Sequence, residues 1–173
     1  EAVIAWHGLA RTGRDMDELA AHLSARYRVI CPDTLGRGLS QWSPDPVNEY
    51  TLAFYARLAA ELFDRLGVES AHWVGTSMGG LIGLVIAALK NSPVQRLVLN
   101  DVGPAIEPSA LARIGTYLGL PVRWKTLDEA ADALWAISQG FGPHTREQWL
   151  ALTRPQLKPD GEGFVPHYDL QIA

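Results

Sequence analysis

Residues 71–90, AHWVGTSMGGLIGLVIAALK, pass from a short apolar strand into a long apolar helix with only a knot of glycines and one serine between them. A strand that turns at once into a helix holds the residue at the join in a strained backbone conformation. Its neighbours must be small, because sheet and helix approach closely. Gly75 and Gly79 flank Ser77 at the spacing this bend requires. Such a bend lifts the serine hydroxyl clear of the sheet. It also aims the first helical amides, which have no intrahelical acceptor, into the same space. A hydroxyl beside unsatisfied N–H donors suits acyl transfer, whose tetrahedral intermediate carries an oxyanion. The same knot also fits a turn that only permits tight packing. A phosphate-binding turn fits worse, because no lysine follows the glycines.

The flanking sequence repeats the strand-then-helix theme. AVIAW (2–6) and YRVIC (27–31) read as buried strands, AHWVG (71–75) as a third and VQRLVLN (94–100) as a fourth. Between them, apolar residues at helical spacing predict helices from about Asp15 to Ala25, from Thr51 to Leu66 with Gly67 just past its end, and from Met78 to Lys90. This alternation predicts an α/β fold with a parallel sheet and right-handed crossovers. After Gly103-Pro104 the theme stops. Helices are predicted from Pro108 to Leu118, from Thr126 to Ser138 behind a Thr-x-x-Glu cap, and from Thr145 to before Pro155 behind Thr-x-x-Gln. Residues 1–103 therefore read as a core and 104–165 as a helical insertion over the rim of the sheet. Residues 166–173 read as the return toward the core.

Composition narrows the function. A net charge of −4 without a basic run argues against nucleic acid as a partner. The longest apolar run, Leu81 to Leu89, is too short to span a bilayer and is broken by Gly83, so no membrane role is expected. One cysteine, Cys31, provides neither a disulfide framework nor a cysteine-rich metal site. It fits a reducing compartment, and a cytoplasmic location is the expectation. No cofactor-binding motif is found, and neither cofactor nor metal is expected.

With these residues in view, the chain resembles the α/β-hydrolase fold superfamily, in its capped serine-hydrolase branch. Three motifs carry the resemblance, in family order: WHGLA (6–10), DTLGRGLS (33–40) and VGTSMGG (74–80). RLVLNDVGP (96–104) resembles the strand that leads into the cap. The resemblance implies that Ser77 is the nucleophile and that the backbone amides of Leu9 and Met78 form an oxyanion hole. His7 is expected to shape its loop rather than transfer protons. Asp33, Gly36, Arg37, Gly38 and Ser40 are expected to organise a turn near the site entrance. In the family's numbering the four strands are three to six of an eight-stranded sheet, in spatial order 4-3-5-6.

A serine nucleophile needs a base, and the base needs an orienting acid. None of His7, His22, His72, His144 or His167 has the context of the family's catalytic histidine, which follows the last strand. Asp101, directly after the fourth strand, is a candidate for the acid; it equally suits the cap of the following turn. With Glu1 opening the chain inside a strand, we expect an internal piece of a longer protein. The apolar second and fourth strands would otherwise be unguarded sheet edges, so the rest of its own sheet is the expected partner.

The insertion is expected to roof an apolar pocket over Ser77 for a small-molecule substrate. Trp124, Trp135 and Phe141 are the main candidates to line it, with Leu127, Leu134 and Trp149; packing between cap helices is the alternative use of each. The reading is a serine hydrolase acting on ester or thioester bonds of a small hydrophobic substrate. Alternatives are a catalytically silent relative that binds a small ligand, and a carbon–carbon bond hydrolase or acyltransferase with the same machinery.

Overall fold

The first four strands stand side by side in one parallel sheet, ordered β2-β1-β3-β4. The computed structural model describes residues 1–173. It places β1 at Ala2–Trp6, β2 at Arg28–Ile30, β3 at Ala71–Thr76 and β4 at Val94–Asn100. This is the order anticipated from the resemblance. The sheet's helices are α1 (Asp17–Leu23), the short α2 (Pro46–Glu49), α3 (Leu52–Leu66) and α4 (Met78–Ala87). Thr51 caps α3 by accepting from the Phe54 amide, and Gly67 ends it in the left-handed conformation at φ 62°. Two details differ from expectation. A 3-10 turn, Gly13–Met16, precedes α1, and α4 stops three residues early, before Asn91 at φ 65°.

The core lies where the sheet meets α3 and α4. Tyr55, Ala56, Ala59 and Phe63 of α3 and Met78, Ile82 and Ile86 of α4 pack on Ile4, Trp6 and Trp73. Trp6 and Trp73 stack at 5.1 Å between ring centroids, and Phe63 continues the stack on Trp73 at 6.5 Å. The Trp73 indole N–H donates to the Gly79 carbonyl at 2.9 Å, so the core aromatic holds the first turn of α4 from below.

Beyond β4 the chain forms α5 (Pro108–Gly115), α6 (Leu127–Ser138) and α7 (Arg146–Thr153). Thr126 caps α6, and Thr145 with Gln148 forms a complete capping box on α7. The segment read as wholly helical also contains an antiparallel hairpin, β5 (Leu157–Asp160) and β6 (Gly163–Pro166), turning at Gly161 with φ 57°. Trp124 adds a third rung by backbone bonds in both directions with Phe164. The return segment docks on the Gly36–Gly38 turn: Gly38 N–H donates to His167 C=O, and Asp169 N–H to Gly36 C=O. No helix is long and apolar enough to cross a membrane.

Candidate active site

Three neighbouring strands end together, and the chain leaves each at a candidate residue. Trp6 of β1 is in register with Gly75 of β3, and Thr76 with Asn100 of β4. The residues just past the strand ends are His7, Ser77 and Asp101, all at the carboxyl edge of the sheet. This is the edge at which open parallel sheets place their ligands.

Ser77 sits between β3 and α4 at φ 51° and ψ −116°, a conformation an L-residue holds only when its surroundings impose it. The surroundings here are visible. A Cβ on Gly75 would strike the Gly79 backbone, and a Cβ on Gly79 would strike the carbonyls of Trp6 and His7. The Ser77 amide donates across to the Asn100 carbonyl at 2.8 Å, and its own carbonyl accepts from Gly80 and Leu81. Its side chain makes no capping bond to α4, and the residue is half-buried. The Leu9 amide donates to no carbonyl of the chain, and Met78, as the first residue of α4, has no acceptor one turn back. The glycine loop stands against the serine, since a Cβ on Gly8 would lie 3.7 Å from Ser77 Cβ.

His7 is fully buried behind this loop. Its Nδ1 lies 2.7 Å from the Gly8 carbonyl, which can only accept, so Nδ1 carries the proton. Nε2 is then the acceptor, facing the Thr34 amide at 3.0 Å. Burial lowers its pKa to about 4, so the ring stays neutral as a clamp between the loop and the turn after β2. Asp33 fastens the same turn, accepting from the amides of Gly13 and Leu39, and Ser40 Oγ donates to its carbonyl. Gly38, at φ 54°, has no room for a Cβ beside the Asp33 carboxylate. Arg37, between the two turn glycines, is enclosed by protein, and burial depresses its pKa.

Asp101 is exposed, adopts φ 54° and makes no side-chain hydrogen bond, so it caps no turn. The other histidines are engaged elsewhere. His22 Nδ1 donates to the Glu18 carbonyl on α1, and His72 lies at the opposite end of β3 against Tyr27. His144 packs edge-on against Trp135 and Trp149. His167 is held by its backbone, its amide donating to Gln156 C=O.

Of the apolar candidates, Trp135 meets Trp149 at 5.1 Å, and the Trp149 indole donates to Ala131 C=O, so this pair ties α6 to α7. Trp124 is half-buried beside the hairpin. Phe141 is 55% exposed, with the Arg11 guanidinium 5.9 Å from its ring centre. Arg11 follows the glycine loop, pairs with Asp15 and donates to Gln156 Oε1 at 2.7 Å. It therefore links the site's loop to the cap at two places, just after α6 and just after α7. Nothing local in the sequence marks that link, because Phe141 and Gln156 lie more than a hundred residues away. An open cleft of about 730 Å³ is lined mostly by polar residues, among them Asp15, Glu18, His144, Gln148 and Arg154, and does not include Ser77.

Comparison with known proteins identifies the family. A family model described as alpha/beta hydrolase fold matches residues 1–135. A 3-hydroxybutyrate-oligomer hydrolase of Cupriavidus necator is 53% identical over 171 residues, covering 96% of this chain and 58% of that protein. A putative carbamate hydrolase, RutD, of Stutzerimonas stutzeri is 30% identical over 149 residues, covering 84% and 52%. A solved alpha/beta hydrolase of Novosphingobium aromaticivorans superposes with a TM-score of 0.92 at 33% identity, covering 99% of this chain and 61% of that one. The chain thus spans little more than half the length of these relatives.

Proposed function

Because the chain belongs to the alpha/beta hydrolase fold family, we propose that it carries the nucleophile-bearing part of a serine hydrolase that cleaves esters of short, largely apolar acyl groups. The observation that carries the reading is Ser77, held at φ 51° between strand and helix with its hydroxyl uncommitted to the helix below. In the proposed reaction Ser77 Oγ attacks the acyl carbon and loses its proton to a base. The carbonyl oxygen becomes an oxyanion between the Leu9 and Met78 amides. Collapse expels the alcohol, which takes the proton, and water then releases the acid from the serine.

The name of the 53%-identical relative supports esters of short hydroxy acids as the substrate class. Phe141 and Trp124 are the apolar surfaces proposed to meet the acyl chain, whereas Trp135 serves cap packing. Thioesters remain within reach of the same chemistry. Asp101 is proposed as the orienting acid, because it stands free beside Ser77 at the strand ends. The base is assigned to residues outside this chain, since none of the five histidines hydrogen-bonds Ser77. The lone Cys31 supports a cytoplasmic setting.

The experiment uses the full-length protein. Ser77→Ala should abolish labelling by a fluorophosphonate and lower kcat on a 3-hydroxybutyrate dimer by about 10⁴-fold or more. Asp101→Asn should lower kcat by about 10³–10⁴-fold while Ser77 is retained; a drop under threefold would put the acid elsewhere. An unlabelled wild-type Ser77 would leave the ligand-binding alternative in its place.

A further inference from the structure

One buried side chain touches both residues whose amides are assigned to the oxyanion. Arg37 is 0% exposed. Its Nε–H donates to the Leu9 carbonyl at 2.9 Å, and Nη2 lies 3.7 Å from Met78 Sδ. Nη1 donates to the Leu35 carbonyl at 2.7 Å and to the Tyr55 phenol oxygen at 2.5 Å. The guanidinium lies against the rings of Tyr50 and Tyr55, 5.6 and 5.1 Å from their centres. It forms no ion pair: Asp169, whose charge favours the guanidinium, accepts instead from the Tyr50 hydroxyl at 2.6 Å. A guanidinium withdrawn from water without a carboxylate in contact is costly to keep, so its place calls for a reason. The turn that carries Arg37 has other ties holding its shape, because the Asp33 carboxylate accepts from the Leu39 amide across it and Ser40 Oγ donates to the Asp33 carbonyl.

We propose that Arg37 is a positioning residue for the oxyanion hole, gripping the Leu9 carbonyl on one side and the Met78 side chain on the other. Its guanidinium thereby sets the angle at which the two amides converge beside Ser77. This rests on the assignment of Leu9 and Met78 made above. A planar group with several donors in fixed directions can span two elements in this way, whereas an ammonium cannot. Donor alignment matters most to the transition state. A ground-state ester carbonyl accepts weak, poorly aimed bonds, whereas the oxyanion gains from donors held within about 0.5 Å of their places. The loss on releasing the grip therefore belongs to kcat and not to KM.

The test uses full-length protein and p-nitrophenyl butyrate, with kcat expressed per fluorophosphonate-titrated site so that unfolded enzyme does not count. Arg37→Met, which keeps the stem and removes the donors, should lower kcat about 30-fold with KM within about threefold. Butylboronic acid, which mimics the tetrahedral intermediate, should weaken in parallel with kcat, while inhibition by butyrate stays unchanged. Arg37→Lys should recover part of the loss. Tyr55→Phe, which removes one acceptor of the grip and leaves the ring in place, should lower kcat about threefold at constant KM. Wild-type kcat per site in Arg37→Met, or an effect on KM alone, would overturn the proposal. Should Arg37→Met not fold, Arg37→Lys and Tyr55→Phe decide: reduced kcat at constant KM in either supports it, and wild-type kcat in both overturns it. Full turnover by Ser77→Ala would instead remove the site assignment itself, so the two failures are separable.

Discussion

His7 illustrates how a residue near a reaction centre can matter by staying neutral. Its neighbours Gly8 and Thr34 define which nitrogen holds the proton, and burial keeps a second proton off until the pH reaches about 4. In the unfolded chain the same ring titrates near its ordinary value of 6.5. Between those two values the unfolded state binds the extra proton and the folded state does not, so stability falls as pH drops through that window. From pH 7 to pH 5 the loss from this one group is about 2 kcal/mol. Urea unfolding of the full-length protein and of His7→Gln at both pH values should show the advantage of the wild type shrinking by that amount; a difference independent of pH would refute the buried neutral ring. That His7 shapes its loop was readable from the His-Gly pair. The means was not, because Thr34 is 27 residues away and its amide bond to the ring is a consequence of two strands lying parallel.

Elements were legible where a short signal decides them, and obscure where a distant partner does. The ends of α3, α6 and α7 follow from Thr51, Thr126 and Thr145, whose side chains satisfy amides three residues on, and from Gly67 at a position only glycine fills without strain. The β5–β6 hairpin escaped the same reasoning. Pro159 and Pro166 each remove a donor that a strand normally uses, and the rung that completes the sheet comes from Trp124, far back in the chain. The join of β3 to α4 was legible because glycines are written where two elements touch. Two substitutions separate contact from conformation. Gly79→Ala drives a methyl into the Trp6 and His7 carbonyls and should cost about 3 kcal/mol, with slower labelling of Ser77. Gly67→Ala meets nothing within 4 Å and should cost only the left-handed strain of about 1 kcal/mol, with labelling unchanged. Chemical denaturation and fluorophosphonate kinetics on the full-length variants measure both, and equal costs would contradict the close approach of α4 to β1.

At the scale of the whole molecule, the alternation of strands and helices sufficed for the parallel sheet, while its order came from the family resemblance, and the sheet so described has two open sides. β2 and β4 each pair on one edge only. β4 is written with Val94, Leu97, Val98 and Leu99, as a strand covered on both faces, yet Val98 is 53% exposed. The relatives of known length are longer, with 58% of one and 61% of another matched by this chain. A long apolar edge without lysine or proline to guard it is a template for pairing with other chains. We therefore expect residues 1–173 produced alone to associate, eluting as a broad, light-scattering species without a sharp calorimetric transition, while the full-length protein melts cooperatively. Val98→Lys tests the cause, because its effect should change sign with context. In the isolated segment the lysine guards the edge and should raise the yield of monomer. In the full-length protein, where β4 would be covered, it buries a charge and should lower stability by about 3 kcal/mol or more. A sharp monomeric melt of the isolated segment, or the same sign of effect in both settings, would mean that β4 is a true edge and that the sheet is complete with four strands.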